Sequence, residues 1–138
     1  MLTRGLAGLI GKGGYGEVKL ATWVERDNKV VAVKIVPKSA IRSVEQQVDR
    51  MNALLRFDHP HIYRLFEWYE SSKRYFMVFE PLLGGELYDR LMSAGRFAEH
   101  DAKLVMRSIF SALAYLHGSM RVVHRDVRQH VQPCVAQH

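Results

Sequence analysis

The chain has 138 residues, 48% of them hydrophobic and 25% charged, and a net charge of +6 from 20 Lys+Arg against 14 Asp+Glu. That length allows one compact domain or at most two small lobes, and the apolar and aromatic content excludes a disordered chain. Cys134 is the only cysteine, which excludes a disulfide scaffold, and no apolar run is long enough to span a membrane.

The first third reads as strands. Glu17–Trp23 alternates enough for a half-buried strand, Arg26–Lys29 is polar and turn-like, and Lys29–Val36 is rich in Val and Ile. The pair is predicted to form an antiparallel hairpin that ends at Pro37. From Ser43 the period changes: Val44, Val48, Met51 and Leu55 recur at helical spacing through Phe57. Ser43 is the predicted N-cap, and Asp58-His59-Pro60 the stop. Two more strands fit Tyr63–Tyr69 and Tyr75–Glu80, joined by the polar turn Glu70–Arg74. Pro81–Gly85 reads as a connector. A short helix fits Glu86–Met92 and a long one Glu99–His117, with an apolar stripe of Val105, Ile109, Ala112, Leu113 and Leu116. Gly118 is its natural end. Strands, one helix, more strands and then helices give an α+β fold class, and a parallel βαβ sheet is disfavoured.

Gly11-Lys12-Gly13-Gly14-Tyr15-Gly16-Glu17-Val18 matches G-x-G-x-x-G-x-V. Glycines so placed let the backbone turn tightly and bring N–H groups close to phosphate oxygens. A dinucleotide fingerprint needs a helix opening at the last glycine, and here a strand follows. The glycines therefore belong to a hairpin that could close over a nucleotide. In Val31-Ala32-Val33-Lys34, alternation puts Ala32 and Lys34 on one face and Val31, Val33 and Ile35 on the other. A small side chain leaves room for a flat base, and a cation two residues on can meet phosphates. An exposed strand lysine is the simpler reading of Lys34 alone, and the nearby glycines favour the phosphate role. His124-Arg125-Asp126 follows the apolar Val122-Val123, and an aspartate opening a loop can take a proton from an attacking hydroxyl.

In this order and spacing the three motifs resemble a eukaryotic-type serine/threonine protein kinase domain, in the style of the calcium- and calmodulin-dependent group. His59-Pro60-His61-Ile62 and Gly84-Gly85-Glu86-Leu87 add to the resemblance. It implies a kinase-like small lobe, an antiparallel five-stranded sheet plus one helix, followed by the start of the helical large lobe. Residues 1–80 would be the sheet lobe, 81–85 the hinge and 86–128 the beginning of the helical lobe, with 129–138 an unrelated tail. It further implies that Gly11, Gly13, Gly14, Gly16 and Val18 cover ATP, that Ala32 packs on the adenine and that Lys34 meets the α- and β-phosphates. Phe79 would be the gatekeeper, Glu80 to Leu82 the hinge contacts, Glu86 the ribose-side acid and Asp126 the catalytic base. The implied reaction moves the γ-phosphate of ATP to a protein Ser or Thr hydroxyl.

Four departures bear on that reaction. The glutamate that pairs with the lysine should stand nine positions before the histidine of the His-Pro pair, and counting back from His59 reaches Arg50. Asp49 is adjacent but points about 100° around the helix. Val131 stands where the catalytic loop needs a metal-binding asparagine, although Arg128 keeps the charge of the usual lysine. No Asp-Phe-Gly occurs, and the activation segment and the rest of a helical lobe lie outside these residues. The family's Mg²⁺ ligands are thus missing, and this polypeptide is expected not to catalyse transfer.

A metal site from His130, Cys134 and His138 is not expected, since Pro133 interrupts the segment and no fourth ligand is evident. The alternative to a kinase is a pseudokinase-like interaction or regulatory fragment, in which a protein partner covers the stripe of the long helix. The positive charge is scattered among acids, so no nucleic-acid partner is expected. Met1–Ile10 lacks a secretory pattern and no glycine follows Met1, which leads us to expect a cytoplasmic protein. No EF-hand loop pattern is present.

Overall fold

The structure is a computed structural model of the chain. It describes residues 7–13, 16–82, 87, 92–93, 95–96, 98–125 and 127, with the backbone alone at 7, 9, 10, 12 and 13. The chain divides into two compact units, Met1–Phe57 with Arg64–Pro81, and Asp58–Tyr63 with Leu82–His138.

The first unit is built on a sheet of β1 (Ala7–Gly13), β2 (Gly16–Trp23), β3 (Lys29–Pro37), β4 (Leu65–Glu70) and β5 (Arg74–Phe79). Its strand order is β1-β2-β3-β5-β4, and every neighbouring pair is antiparallel. The β2–β3 turn uses Asp27 and Asn28, both left-handed at φ 52° and 56°, a conformation their short polar side chains tolerate. Pro37 closes β3 and leads into a 3₁₀ turn, Lys38–Ala40. The helix α1 (Val44–Leu54) then starts where Ser43 accepts a hydrogen bond from the Gln46 N–H at 3.3 Å. This satisfies one of the orphan donors of the first turn. The helix stops at Leu54, short of the Phe57 limit suggested by periodicity: Leu55 makes the last bond four residues back, to Met51, and Arg56 and Phe57 already donate three residues back, to Ala53 and Leu54.

Alternation along β3 sorts the sheet into two apolar faces. On one, Ala32, Val36, Met51 of α1, Leu65, Tyr75, Met77 and Phe79 form a cluster, with Val18, Val48 and Leu54 packed against it. On the other, Val31, Val33, Ile35 and Val78 gather around Trp23, with Phe66, Tyr69 and Phe76. Each buried aliphatic side chain contributes about 1.5–3 kcal/mol relative to exposure. Arg26 sits 4.6 Å over the Trp23 ring, and Lys29 4.6 Å over Phe66. Cationic stems thereby cover the rim of this second cluster. Lys38, which pairs with Glu70, lies 5.1 Å over the ring of Tyr75, whose buried hydroxyl has no hydrogen-bond partner among the described residues.

In the second unit, α2 (Glu99–Ala114) passes into a π turn, Tyr115–Ser119. The helix opens with Glu99 and Asp101, which suits the positive end of its dipole. The predicted stripe is its less exposed side: Val105, Ile109, Ala112 and Leu113 are half-buried and Leu116 is buried. Leu104, Met106 and Phe110 are exposed. Gly118 falls inside the π turn and not just after the helix, so the helix loses its regular bonds one turn earlier than periodicity suggested. The short helix expected at Glu86–Met92 lies largely outside the described residues.

Candidate functional site

The sheet places several of the sequence-predicted residues in two rows on one face. Across β2, β3 and β5, Val18 is opposite Lys34 and Lys34 is opposite Met77. One step further along, Leu20 is opposite Ala32 and Ala32 is opposite Phe79. Ala32 and Phe79 are buried in the same cluster that Val18 packs against. Lys34 is half-buried, at the point where this apolar face meets solvent, and makes no ion pair with a described residue. A lysine ammonium there is a flexible point charge with three donors, beside an apolar wall.

The glycine motif runs into β2 just before these rows, with Gly16 two residues ahead of Val18. Gly13 is opposite Gly16, and Gly14 lies outside the described residues. Gly16 has φ +145°, and a Cβ there would stand 2.1 Å from the Ile35 carbonyl oxygen and 3.1 Å from its carbon. Only glycine lets β2 approach β3 so closely. Gly11 differs, since a Cβ there would meet nothing within 4 Å. Packing among the described residues therefore does not require glycine at position 11.

At the connector, the Glu80 N–H donates to the Arg64 carbonyl at 2.9 Å. Its amide is therefore taken, and Pro81 has none to offer. On α1, Arg50 and Asp49 are both exposed, and neither pairs with Lys34. In the second unit, the Val122 N–H donates to the Leu116 carbonyl at 2.9 Å and carries the chain from the π turn towards His124 and Arg125. Arg121 and Arg125 have φ of 56° and 63°. Left-handed backbone at a residue other than glycine costs about 1–3 kcal/mol and persists where the surroundings impose it. Asp126, Glu86, Arg128, Val131 and the tail 129–138 lie outside the described residues.

Met77 was not singled out by sequence reasoning, although the alternation Tyr75–Met77–Phe79 puts it beside Phe79 and the register puts it opposite Lys34. The segment Asp58–Tyr63 was read as a helix stop and a motif, and its membership of the second unit had no signal in periodicity.

Residues 6–130 match the family model described as the protein kinase domain. The chain belongs to the protein kinase family. It is 36% identical over 124 residues to calcium/calmodulin-dependent protein kinase type 1 of Macrobrachium nipponense, covering 89% of this chain and 36% of that relative. To the human calcium/calmodulin-dependent protein kinase type 1B it is 39% identical over 121 residues, or 86% and 34% of the two chains. To calcium-dependent protein kinase 5 of Plasmodium berghei it is 37% identical over 119 residues, or 86% and 21%. A solved structure, Rad53 1-466 in complex with AMP-PNP, superposes with a TM-score of 0.78 at 32% identity, covering 88% of this chain and 32% of that one. The chain thus spans a fifth to somewhat over a third of the length of these curated relatives. The kinase-like sheet-and-helix fold expected from the sequence is the one present, with all five strands antiparallel. Among the described residues no helix is long and apolar enough to cross a membrane.

Proposed function

We propose that this chain is the ATP-binding part of a serine/threonine protein kinase, and that the 138-residue polypeptide by itself binds ATP without transferring phosphate. The observation that carries the reading is the shared face of Val18, Ala32, Lys34 and Phe79, set by the β2–β3–β5 register. There an adenine would lie along Ala32 beside Phe79, with the triphosphate running towards Lys34 and the backbone of Gly11, Gly13, Gly14 and Gly16. The Glu80 carbonyl and Leu82 N–H would meet the base, and Glu86 the ribose. A neighbour solved with AMP-PNP, an adenine nucleotide, supports the choice of ligand.

Transfer itself needs more. In the family Mg²⁺ neutralises the charge that develops between the phosphates and Asp126 would take the hydroxyl proton. The donor set within these residues does not fit that metal: Val131 stands where an asparagine is required. Binding by Lys34 and the glycine backbone, nearly independent of Mg²⁺, is what remains.

Thermal unfolding of the purified chain with ATP, with and without Mg²⁺, tests this. ATP at about ten times its dissociation constant should add about 1.4 kcal/mol of stability, and Lys34→Met should remove the effect. No shift at millimolar ATP would refute binding. Radiolabelled transfer to a protein substrate, abolished by Asp126→Asn, would refute inactivity. A second reading, a non-catalytic interaction fragment, draws support from the exposed Leu104, Met106 and Phe110 of α2. Sedimentation that stays monomeric at high concentration would argue against it.

A further inference from the structure

His59 and His61 belong to the short segment Asp58–Tyr63, which joins α1 to β4 in sequence and falls in the same compact unit as α2. The Asp58 N–H donates to the Tyr115 hydroxyl at 3.0 Å. The His59 ring stacks on Tyr115, with centroids 5.2 Å apart and planes 29° from parallel. Its Nε2 lies 3.0 Å from Ser111 Oγ, and its Nδ1 accepts the backbone N–H of His61 at 3.1 Å. The His61 ring stands edge-on at 5.5 Å.

These contacts dictate a protonation state. A neutral imidazole carries one N–H. Nδ1 is an acceptor here, so the proton is on Nε2 and Ser111 Oγ accepts it. A second proton can add only at Nδ1, where it would point at the His61 N–H, and two donors cannot share one bond. We propose that His59 is an acid-sensitive latch: protonation at Nδ1 breaks its bond to the His61 amide and loosens Asp58–Tyr63 from Ser111 and Tyr115 of the helical unit.

The surroundings push the same way. Burial, and then the neighbouring His61, hold the His59 pKa below 6.5. From α2 and its π turn the facing groups are the hydroxyls of Ser111 and Tyr115. Arg107 and His117, the basic residues near them in sequence, are exposed. The Asp58 carboxylate on the segment itself has the opposite sign, and the net pull on His59 is still downward. A group whose pKa is lowered on folding gives stability that is complete above its unfolded value of 6.5 and is lost as the pH falls through the lowered one.

The test follows the His59 ring resonances and the exchange of the His61 amide in the 138-residue chain by NMR, between about pH 8 and pH 5, with exchange corrected for its intrinsic rate. His59→Asn is the control, because an asparagine carbonyl can accept the N–H two residues on but takes up no proton. The wild type should lose roughly tenfold in His61 protection across the range, and His59→Asn should stay within about twofold. Flat protection in the wild type, or a His59 ring that titrates at or above 6.5, would overturn the proposal. So would a pH dependence that survives in His59→Asn and disappears in His61→Asn. If His59→Asn does not fold, the wild-type ring titration decides alone.

Discussion

Gly16→Ala separates two roles that the glycine motif combines. The added Cβ would lie 2.1 Å from the Ile35 carbonyl oxygen and 3.4 Å from the Val36 Cα. Both atoms are backbone of β3, the central strand of the sheet, so no side-chain rotation can relieve the contact. The strand cannot yield either, since β3 is paired on both sides, to β2 from Glu17 to Trp23 and to β5 from Phe79 to Arg74. The φ of +145° adds backbone strain of about 1–3 kcal/mol for any L side chain. Strain and displacement together should cost about 2–4 kcal/mol, a large single-site effect with a named cause.

Urea denaturation followed by tryptophan fluorescence measures this, because Trp23 at the far end of β2 is almost fully buried. The midpoint should fall, and the melting temperature should drop by roughly 10 °C. Gly11→Ala is the matched comparison. Its Cβ would meet nothing within 4 Å, so stability should stay within about 0.5 kcal/mol of wild type. Any effect of Gly11→Ala should appear instead in ATP affinity. Equal denaturation midpoints for Gly16→Ala and wild type would refute the steric account of Gly16.

Met51→Ala should destabilise by about 2–5 kcal/mol in thermal or urea unfolding, since Met51 has no exposure and fills the space between α1 and the sheet. Ser43→Ala should cost about 1 kcal/mol by the same measurement, and Ser43→Asp should recover most of it, because the Gln46 N–H needs only an acceptor oxygen. Burial, followed by the hydrogen bond to Glu67, pushes the Tyr69 hydroxyl up to about 12. A raised folded value means stability that is complete below the ordinary value of 10 and lost as the pH rises from there through 12. Ultraviolet titration near 295 nm should show a late-ionising phenol that is missing in Tyr69→Phe.

Local rules made most of the sheet legible. Ser43 as N-cap, Pro37 as strand end, the Asp27-Asn28 turn and the two faces of Val31–Ile35 each depend on neighbours in sequence, and each is where it was expected. The strand bounds moved where pairing decided them. Tyr63 was expected in β4, yet it belongs with His59 and His61 in the second unit, and the ladder starts at Leu65 opposite Phe79. Within the candidate site, the shared face of Ala32 and Lys34 was legible because alternation along one strand carries it. The site was not legible where one strand's register selects a partner on another, as for Met77 opposite Lys34 and the Ile35 carbonyl against Gly16. The arrangement around His59 required knowing which helix turn lies beside it, and no periodic pattern encodes that.

The departure at Arg50 is a matter of residue type and not of helix placement. Met51 is fully buried, and Val48 and Leu54, three residues to either side, pack against the same cluster, so the rotation of α1 about its axis is fixed by that stripe. Position 50 shares a face with positions 47 and 54, and Gln47 is half-buried while Leu54 touches the core. Residue 50 therefore stands at the edge of the face turned towards the core. An arginine there keeps its stem along the apolar border and its charge in solvent, which its exposure reflects. Asp49 cannot substitute. It lies on the neighbouring face with Asn52, whose side chain accepts the Trp68 indole N–H at 3.2 Å. The core thus fixes α1 with an exposed arginine at position 50, and Lys34 makes no ion pair with a described residue.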